Sequence, residues 1–202
     1  MTHIFVSTIP QTFDEQRSAE CFKRVFEGEK NQKYLENIMK KSHAEARTQS
    51  LYALEVLAHG LKALGTDTSN LTLAKKSSGK PYFEGEMPYF SISHDADTVA
   101  VAISDRDVGV DIQSSRDTAR ENAIAERFFT QDECEDIRSG NLDFLKAWTK
   151  REAYAKLTDT PLASLTKKEL PDSAFFETLD WKTSKITVAT LSSDEVKITL
   201  LS

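Results

Sequence analysis

The glutamate and the lysine at positions 152 and 156 are the side chains of this sequence best placed for proton or phosphate chemistry. They belong to the stretch 148–156, which reads WTKREAYAK. Residues four apart share one face of a helix, so a helix here would bring Glu152 and Lys156 together. An isolated Glu/Lys pair at this spacing is most often a surface ion pair. Other residues must therefore decide between a surface pair and a functional site.

A second carboxylate, Asp111, interrupts the apolar stretch 108–113, which reads VGVDIQ. In a strand, Asp111 shares one face with Gly109 and Gln113, and the apolar side chains occupy the other face. An unpaired buried carboxylate is very costly, and a metal ion shared with Glu152 would give it a partner. Carboxylate and amide oxygens suit a hard cation such as Mg²⁺. The alternative is a polar edge-strand face on which Asp111 forms a salt bridge.

The stretch 90–95, which reads FSISHD, places two hydroxyl groups and an imidazole at the end of another β-like segment. By itself, His94 is more often a capping or core histidine than a ligand. Lys80, in the sequence GKP at 79–81, is by itself an exposed loop lysine. Each of these residues is weak evidence alone, and their order along the chain carries the information.

In that order, four motifs resemble those of the 4'-phosphopantetheinyl transferase family. The closest similarity is to the longer, monomeric type that includes the surfactin-synthetase activator. The motifs are Gly79-Lys80-Pro81, Ile92-Ser93-His94, Gly109-Val110-Asp111-Ile112-Gln113 and Trp148-Thr149-Lys150-Arg151-Glu152-Ala153-Tyr154-Ala155-Lys156. The resemblance extends from about residue 47 to residue 156. Two positions depart from the family: Gln113 stands where many members have Glu, and Arg151 separates Lys150 from Glu152, which displaces the lysine by one residue.

The resemblance implies an α+β fold of two similar lobes in tandem, a pseudo-dimer with its active site in the cleft between them. It also implies a reaction. The phosphopantetheine arm of coenzyme A would move onto a serine of an acyl or peptidyl carrier protein, with Mg²⁺, leaving adenosine 3',5'-bisphosphate. The enzyme would be of the holo-[acyl-carrier-protein] synthase type. The alternative is a non-catalytic relative that keeps the coenzyme A cleft as a binding or interaction protein, and only the two departures support it.

The resemblance also assigns roles to individual residues. Asp111 and Glu152 would hold the metal, and Gln113 would bind it directly or through a water. Glu152 would activate the serine hydroxyl, while Lys156 would steady the pyrophosphate and protonate the leaving oxygen. The residues implied to bind coenzyme A are Arg47, Lys80, Ser93, His94, Asp111 and Lys156. A carrier protein, typically acidic in this family, would dock near 158–170.

Composition restricts the function classes further. The chain has 202 residues, enough for one large domain or two small lobes, with 39% hydrophobic and 29% charged residues, as in soluble globular proteins. A net charge of −6 argues against a nucleic-acid-binding protein. We expect neither a signal peptide nor a membrane span, because the N-terminal residues and the apolar runs do not fit either. Cys21 and Cys134 are far apart and predict free thiols in a reducing cytoplasm.

Local patterns predict the elements that must position these side chains. The order strand, helices, strands occurs twice, so we predict an N-terminal lobe over 1–105 and a C-terminal lobe over 106–202. A helix over 44–64 ending before Gly65, and a capping box formed by Thr130 and Glu133, are the clearest local signals. The other predicted helices cover 14–41 with a break near Gly28, 120–127, 131–138 and a stretch from Asn141 to 156. The predicted strands are 4–9, 71–74, 89–93, 98–104, 108–113, 186–191 and 196–200, with 98–104 and 108–113 forming a hairpin.

Overall fold

The computed structural model describes residues 1–85, 87–193 and 195–201 as a mixed α+β fold. The helices are α1 Glu15–Val25, α2 Glu29–Met39, α3 Ala44–Ala63, α4 Thr118–Phe128, α5 Gln131–Ser139 and α6 Phe144–Thr158. The strands are β1 Thr2–Thr8, β2 Leu73–Lys75, β3 Pro81–Phe83, β4 Tyr89–Asp95, β5 Thr98–Ser104, β6 Gly109–Ser114, β7 Phe175–Trp181, β8 Ser184–Thr190 and β9 Val196–Leu200. Within the described ranges, no helix is long and apolar enough to cross a membrane.

The first sheet has the strand order β4-β5-β1-β9 and is covered on one face by α1, α2 and α3. Alternation along β1 sends Phe5 toward these helices and sends Ile4 and Val6 to the opposite face. Helix α3 buries Leu54 and Leu57 in the same core, as its apolar period predicts. The sheet is therefore apolar on both faces.

The second sheet, β6-β8-β7, packs against the outer face of the first through an apolar layer. That layer contains Val108, Val110 and Ile112, which confirms the prediction that the apolar side chains of this stretch share a buried face. Helix α6 covers the other face of the second sheet, where Ala153 packs near β6 and β8. Asp111 is therefore held in a strand between a sheet and a helix.

Two predictions about local structure are wrong. The strands β5 and β6 do not form a hairpin, because β1 and β4 occupy the two edges of β5 and the chain passes into the second sheet after Ser104. Helix α6 begins after Asp143, which caps it by accepting a hydrogen bond from Lys146 N, and not after Asn141. The break at Gly28, the end of α3 before Gly65 and the Thr130–Glu133 capping box are confirmed.

The last strand returns to the first sheet. Strand β9 pairs in parallel with β1, from Thr2 opposite Val196 to Val6 opposite Leu200. The division into lobes at 105/106 stays a prediction. Strand β9 does not follow this division, because it lies in the C-terminal half of the sequence and completes the sheet of the N-terminal half. The similarity of the two lobes also stays a prediction.

Candidate active site

A cleft of about 410 Å³ lies where β4 of the first sheet meets β6 of the second. Residues of α2 and α3 form one wall, and β6 and α6 form the other. Its acidic and basic lining residues are Lys41, Lys75, His94, Asp95, Asp111, Arg116, Glu152 and Lys156. The cleft thus brings together the carboxylates of the two motifs and a set of cationic side chains.

The backbone N–H groups on the open edge of β6 donate hydrogen bonds to side chains of β4 and not to the backbone of another strand. Three side chains on one face of β4 accept hydrogen bonds from alternate N–H groups of β6. These bonds join Val110 N to Ser91 Oγ (3.1 Å), Ile112 N to Ser93 Oγ (3.3 Å) and Ser114 N to Asp95 Oδ2 (2.6 Å). The constant offset of 19 residues sets the register of the two sheets. Because buried N–H groups need acceptors, this seam fixes where Asp111 lies relative to β4.

Two lysines satisfy the carbonyl groups along the same edge. Lys80 Nζ donates to Val108 O at 3.2 Å and to Lys156 O at 2.6 Å, and Lys156 Nζ donates to Val110 O at 3.0 Å. Burial, and then the nearby charge of Lys76, lower the pKa of Lys80 to about 8. Lys80 therefore joins β6 to the last turn of α6, and its ammonium faces backbone and not the cleft.

Asp111 is 3% exposed, and its two oxygens have different surroundings. Oδ1 accepts hydrogen bonds from Ser93 Oγ at 2.8 Å and from Lys156 Nζ at 2.7 Å. Oδ2 is buried and has no hydrogen-bond partner among the described residues. A buried carboxylate oxygen without a partner is costly. A cation would satisfy this atom, and so would the proton of a neutral Glu152, whose side chain hydrogen-bonds Asp111.

Glu152 lies on α6 beside Asp111 and lines the same cleft. Burial, followed by the neighbouring Asp111 carboxylate, raises the pKa of Glu152 to about 7, while Lys156 opposes the shift. The two carboxylates repel each other when both are ionised. Without a cation between them, Glu152 holds its proton close to neutral pH, and this suits a group that accepts and releases protons there.

The raised pKa of Glu152 predicts a pH dependence of stability in metal-free protein. Between about pH 4.5 and 7, native Glu152 binds more protons than the unfolded chain, so this residue lowers the free energy of unfolding as pH rises. We expect the wild type to lose stability relative to Glu152→Gln over that range, by at most about 3 kcal/mol. Urea unfolding of both proteins in chelator, at pH 5 and pH 8, measures this difference. If the free energies of unfolding of the two proteins change equally between pH 5 and pH 8, the pKa of Glu152 is not raised in the folded protein.

The donor set fits Mg²⁺. It consists of the bare Oδ2 of Asp111, the adjacent Glu152 carboxylate and the amide of Gln113, all facing one cleft. Among the described residues, no group of three or more His, Cys, Asp or Glu side chains forms a complete metal cage. Two carboxylates are enough for Mg²⁺, which keeps several waters and shares substrate phosphates. Gln113 Nε2 makes only a long contact of 3.5 Å to Ser114 O, which leaves the amide able to reorient.

The cleft is also lined by a cationic cluster of Lys41, Lys75 and His94, and the motifs did not reveal its two lysines. Lys41 donates to Ser50 Oγ at 2.6 Å, and burial together with Lys75 lowers its pKa. Desolvation and the ammonium groups of Lys156 and Lys41 lower the pKa of His94. Lys41 follows α2 and Lys75 ends β2, so only the packing of these elements brings the two lysines beside His94.

Arg47 lies outside this cationic cluster. Its guanidinium donates to Glu15 Oε2 at 2.6 Å and to the carbonyl of Lys41 at 3.0 Å. It is not among the cleft-lining residues, and it supports the backbone at Lys41. The structure therefore brings Ser93, His94, Asp111, Gln113, Glu152 and Lys156 together, and it places Arg47 and the Lys80 ammonium away from that centre.

The family comparison matches the chain from just before β6 onward. Residues 107–200 match the family model described as "4'-phosphopantetheinyl transferase superfamily". This part of the chain is therefore similar to the 4'-phosphopantetheinyl transferase superfamily. The match includes β6 and α6, the two elements that supply Asp111 and Glu152.

Three curated relatives are named 4'-phosphopantetheinyl transferases. They are psf-1 of Bacillus pumilus (37% identical, covering 41% of this chain and 37% of the relative), gsp of Aneurinibacillus migulanus (32%, covering 48% and 41%) and Sfp of Bacillus subtilis strain 168 (28%, covering 53% and 55%). The matched segments span roughly half or less of each relative's length. The resemblance to the surfactin-synthetase-activator type is thus supported at the level of the superfamily.

The structure shows what Arg151 does in the helix motif. Arg151 is 1% exposed, and its guanidinium donates to Glu133 Oε2 at 2.6 Å and to Lys168 O at 2.6 Å. It also lies over the ring of Phe129, 4.5 Å from the centroid. The residue before Glu152 therefore faces away from the cleft. It anchors the segment after α6, and it does not alter the set of cleft-lining charges.

Proposed function

We propose that this protein transfers the 4'-phosphopantetheine arm of coenzyme A to a serine of an acyl or peptidyl carrier protein, as a holo-[acyl-carrier-protein] synthase type enzyme. The observation that supports it most directly is the bare, buried Oδ2 of Asp111 beside Glu152, in a cleft that is also lined by cationic side chains. Carboxylates for a cation and cations for phosphates in one cleft match the charge pattern of a coenzyme A pyrophosphate with Mg²⁺.

In the proposed reaction, the serine oxygen attacks the β-phosphate, and the bond to the 5'-phosphate of adenosine 3',5'-bisphosphate breaks. Asp111, Glu152 and Gln113 would hold Mg²⁺, which neutralises charge on the pyrophosphate when it is bound. Glu152 accepts the serine proton, directly or through a water.

Lys156 supplies positive charge beside the pyrophosphate. Its three N–H groups donate to Ser93 Oγ, Val110 O and Asp111 Oδ1. In this arrangement Lys156 stabilises transition-state charge electrostatically. Protonation of the leaving oxygen by Lys156 requires one of the three bonds to be exchanged for a bond to the substrate.

A carrier protein would dock beside α6. A second cavity, of about 360 Å³, is also lined by Glu152 and Lys156 and opens at Leu162. Lys167 and Lys168, which follow the 3₁₀ turn Leu162–Leu165, are exposed and suit an acidic partner.

We propose a cytoplasmic monomer, because one chain supplies every residue of the cleft and both cysteines are free thiols.

The direct test is incubation of the protein with coenzyme A, Mg²⁺ and an apo carrier protein, followed by intact-mass measurement of the carrier. The proposed function requires the carrier to gain the mass of one phosphopantetheine. A non-catalytic relative would bind coenzyme A and leave the carrier unchanged. A phosphoesterase would consume coenzyme A without modifying the carrier.

We expect the cleft-lining lysines Lys41 and Lys75 to bind coenzyme A. We expect Lys41→Ala and Lys75→Ala each to weaken coenzyme A binding by roughly tenfold or more, because each removes a charge-assisted phosphate contact. Calorimetric titration with coenzyme A measures the effect. Lys40→Ala is the matched control, since Lys40 is exposed, pairs with Glu36 and does not line the cleft. Equal affinities for the Lys40 and Lys41 variants would contradict the placement.

A further inference from the structure

The hydroxyl of Ser93 makes three hydrogen bonds to other groups of the protein. It donates to Asp111 Oδ1 at 2.8 Å, and it accepts from Lys156 Nζ at 2.8 Å and from Ile112 N at 3.3 Å. A serine hydroxyl has one proton and two lone pairs. All three are used by protein partners, so none is left for a phosphate of coenzyme A.

We propose that Ser93 is a positioning residue that fixes the orientation of Asp111 and does not bind coenzyme A. The inference rests on the proposed function and departs from the role that the family resemblance implies for this serine. Ser93 and Lys156 together saturate Oδ1 of Asp111 and leave Oδ2 bare. Ser93 thereby selects which oxygen of the carboxylate faces the cation.

The burial of these groups makes the selection strong. Ser93 is 6% exposed and Asp111 is 3% exposed, so water cannot readily replace the serine hydroxyl. Without that hydroxyl, Oδ1 keeps only the Lys156 ammonium, and the carboxylate can turn so that the ammonium sits between its two oxygens. The cation then loses part of its ligand charge, although no ligand has been removed. A ligand held by a supporting hydrogen bond typically loses affinity when that bond is removed.

Ser91 provides a matched control on the same strand. Its hydroxyl accepts from Val110 N at 3.1 Å, in the same ladder of seam bonds, and it is 1% exposed. It makes no hydrogen bond to Asp111. Ser91→Ala therefore reproduces the structural cost of losing one seam bond, and Ser93→Ala adds the loss of the Asp111 contact.

The experiment compares Ser93→Ala, Ser91→Ala and wild type in three measurements: Mn²⁺ binding followed by the electron paramagnetic resonance of free Mn²⁺, coenzyme A binding by calorimetry, and carrier-protein transfer. For Ser93→Ala we expect Mn²⁺ affinity and kcat each to fall roughly tenfold or more, with coenzyme A affinity within about twofold of wild type. Ser91→Ala should lower Mn²⁺ affinity and kcat less than Ser93→Ala does, because it removes a seam bond and leaves the Asp111 contact in place. Ser93→Thr, which keeps the hydroxyl, should restore Mn²⁺ binding.

Two outcomes would overturn the inference. Weaker coenzyme A binding with unchanged Mn²⁺ affinity would assign Ser93 to the substrate, and equal losses in Ser91→Ala and Ser93→Ala would assign it to the seam alone. If Ser93→Ala does not fold, Ser93→Cys is judged by the same criteria, because it keeps the side-chain volume and weakens all three bonds. Absence of transfer by the wild type would overturn the proposed function and leave the Mn²⁺ comparison intact.

Discussion

Asp111→Asn is expected to reduce phosphopantetheine transfer by at least about 100-fold while the protein stays folded. The change keeps the shape of the side chain and removes the only charge that the strand β6 offers to a cation. The side chain also loses its ion pair with Lys156, which spans 2.7 Å. Loss of metal-assisted charge stabilisation costs several kcal/mol of transition-state energy, and each 1.36 kcal/mol is a factor of ten in rate. Initial rates of holo-carrier formation at saturating Mg²⁺ give the measurement.

Asp105→Asn is the control for that experiment, because Asp105 is exposed, bonds to the N-terminal amine and lies outside the cleft. Its rate should equal that of the wild type. Circular dichroism establishes that both variants are folded. Transfer by Asp111→Asn at more than a tenth of the wild-type rate would show that Asp111 does not hold the ion.

Gly109→Ala is expected to destabilise the protein by about 3 kcal/mol, since the new methyl group has no space. A Cβ at this position would lie 1.9 Å from Ala153 O and 2.6 Å from Leu157 N, both backbone atoms of α6. Backbone cannot move aside as a side chain can, and overpacking of this kind costs about 1–3 kcal/mol or more. We expect the melting temperature to fall by roughly 10 °C. The rate of transfer should fall as well, because the added methyl group would push α6, which carries Glu152, away from Asp111.

Gly60→Ala is the comparison for this effect. Its added Cβ would meet side-chain atoms of Ile103 and Phe5 at 2.7–2.8 Å, and alanine also has the higher helix propensity in α3. Movement of those side chains should relieve part of the clash, so the expected loss of stability is smaller. Thermal unfolding of the two variants side by side gives the difference. A larger loss for Gly60→Ala would mean that the contact between β6 and α6 is looser than described.

Much of the local structure follows directly from the sequence, because neighbouring residues determine it. The capping box of Thr130 and Glu133 and the break at Gly28 depend on residues within one helical turn, and the structure confirms both. The alternation of 108–113 likewise predicted which side chains of β6 are buried. Period and capping act over a few residues, so the sequence displays them in full.

Local sequence patterns do not predict which strands pair with β5 and β6. The turn at 104–107 reads as a hairpin turn, yet β5 is fully paired by β1 and β4, and β6 pairs with β8. The open edge of β6 is then satisfied by Ser91, Ser93 and Asp95. No local pattern distinguishes a serine that caps a neighbouring strand from one that faces solvent or a ligand.

The sequence by itself singled out Asp111, Glu152 and Lys156 as candidates for phosphoryl-transfer chemistry, since their motifs and order are sequence properties. Only the tertiary structure decided which cations share their cleft. Lys41 and Lys75 face it from separate elements, whereas the Lys80 ammonium binds backbone and Arg47 pairs with Glu15. The role of a charged side chain depends on which groups it contacts. Those contacts are set by the packing of elements that are distant in sequence. Motif spacing records only the separation of residues along the chain.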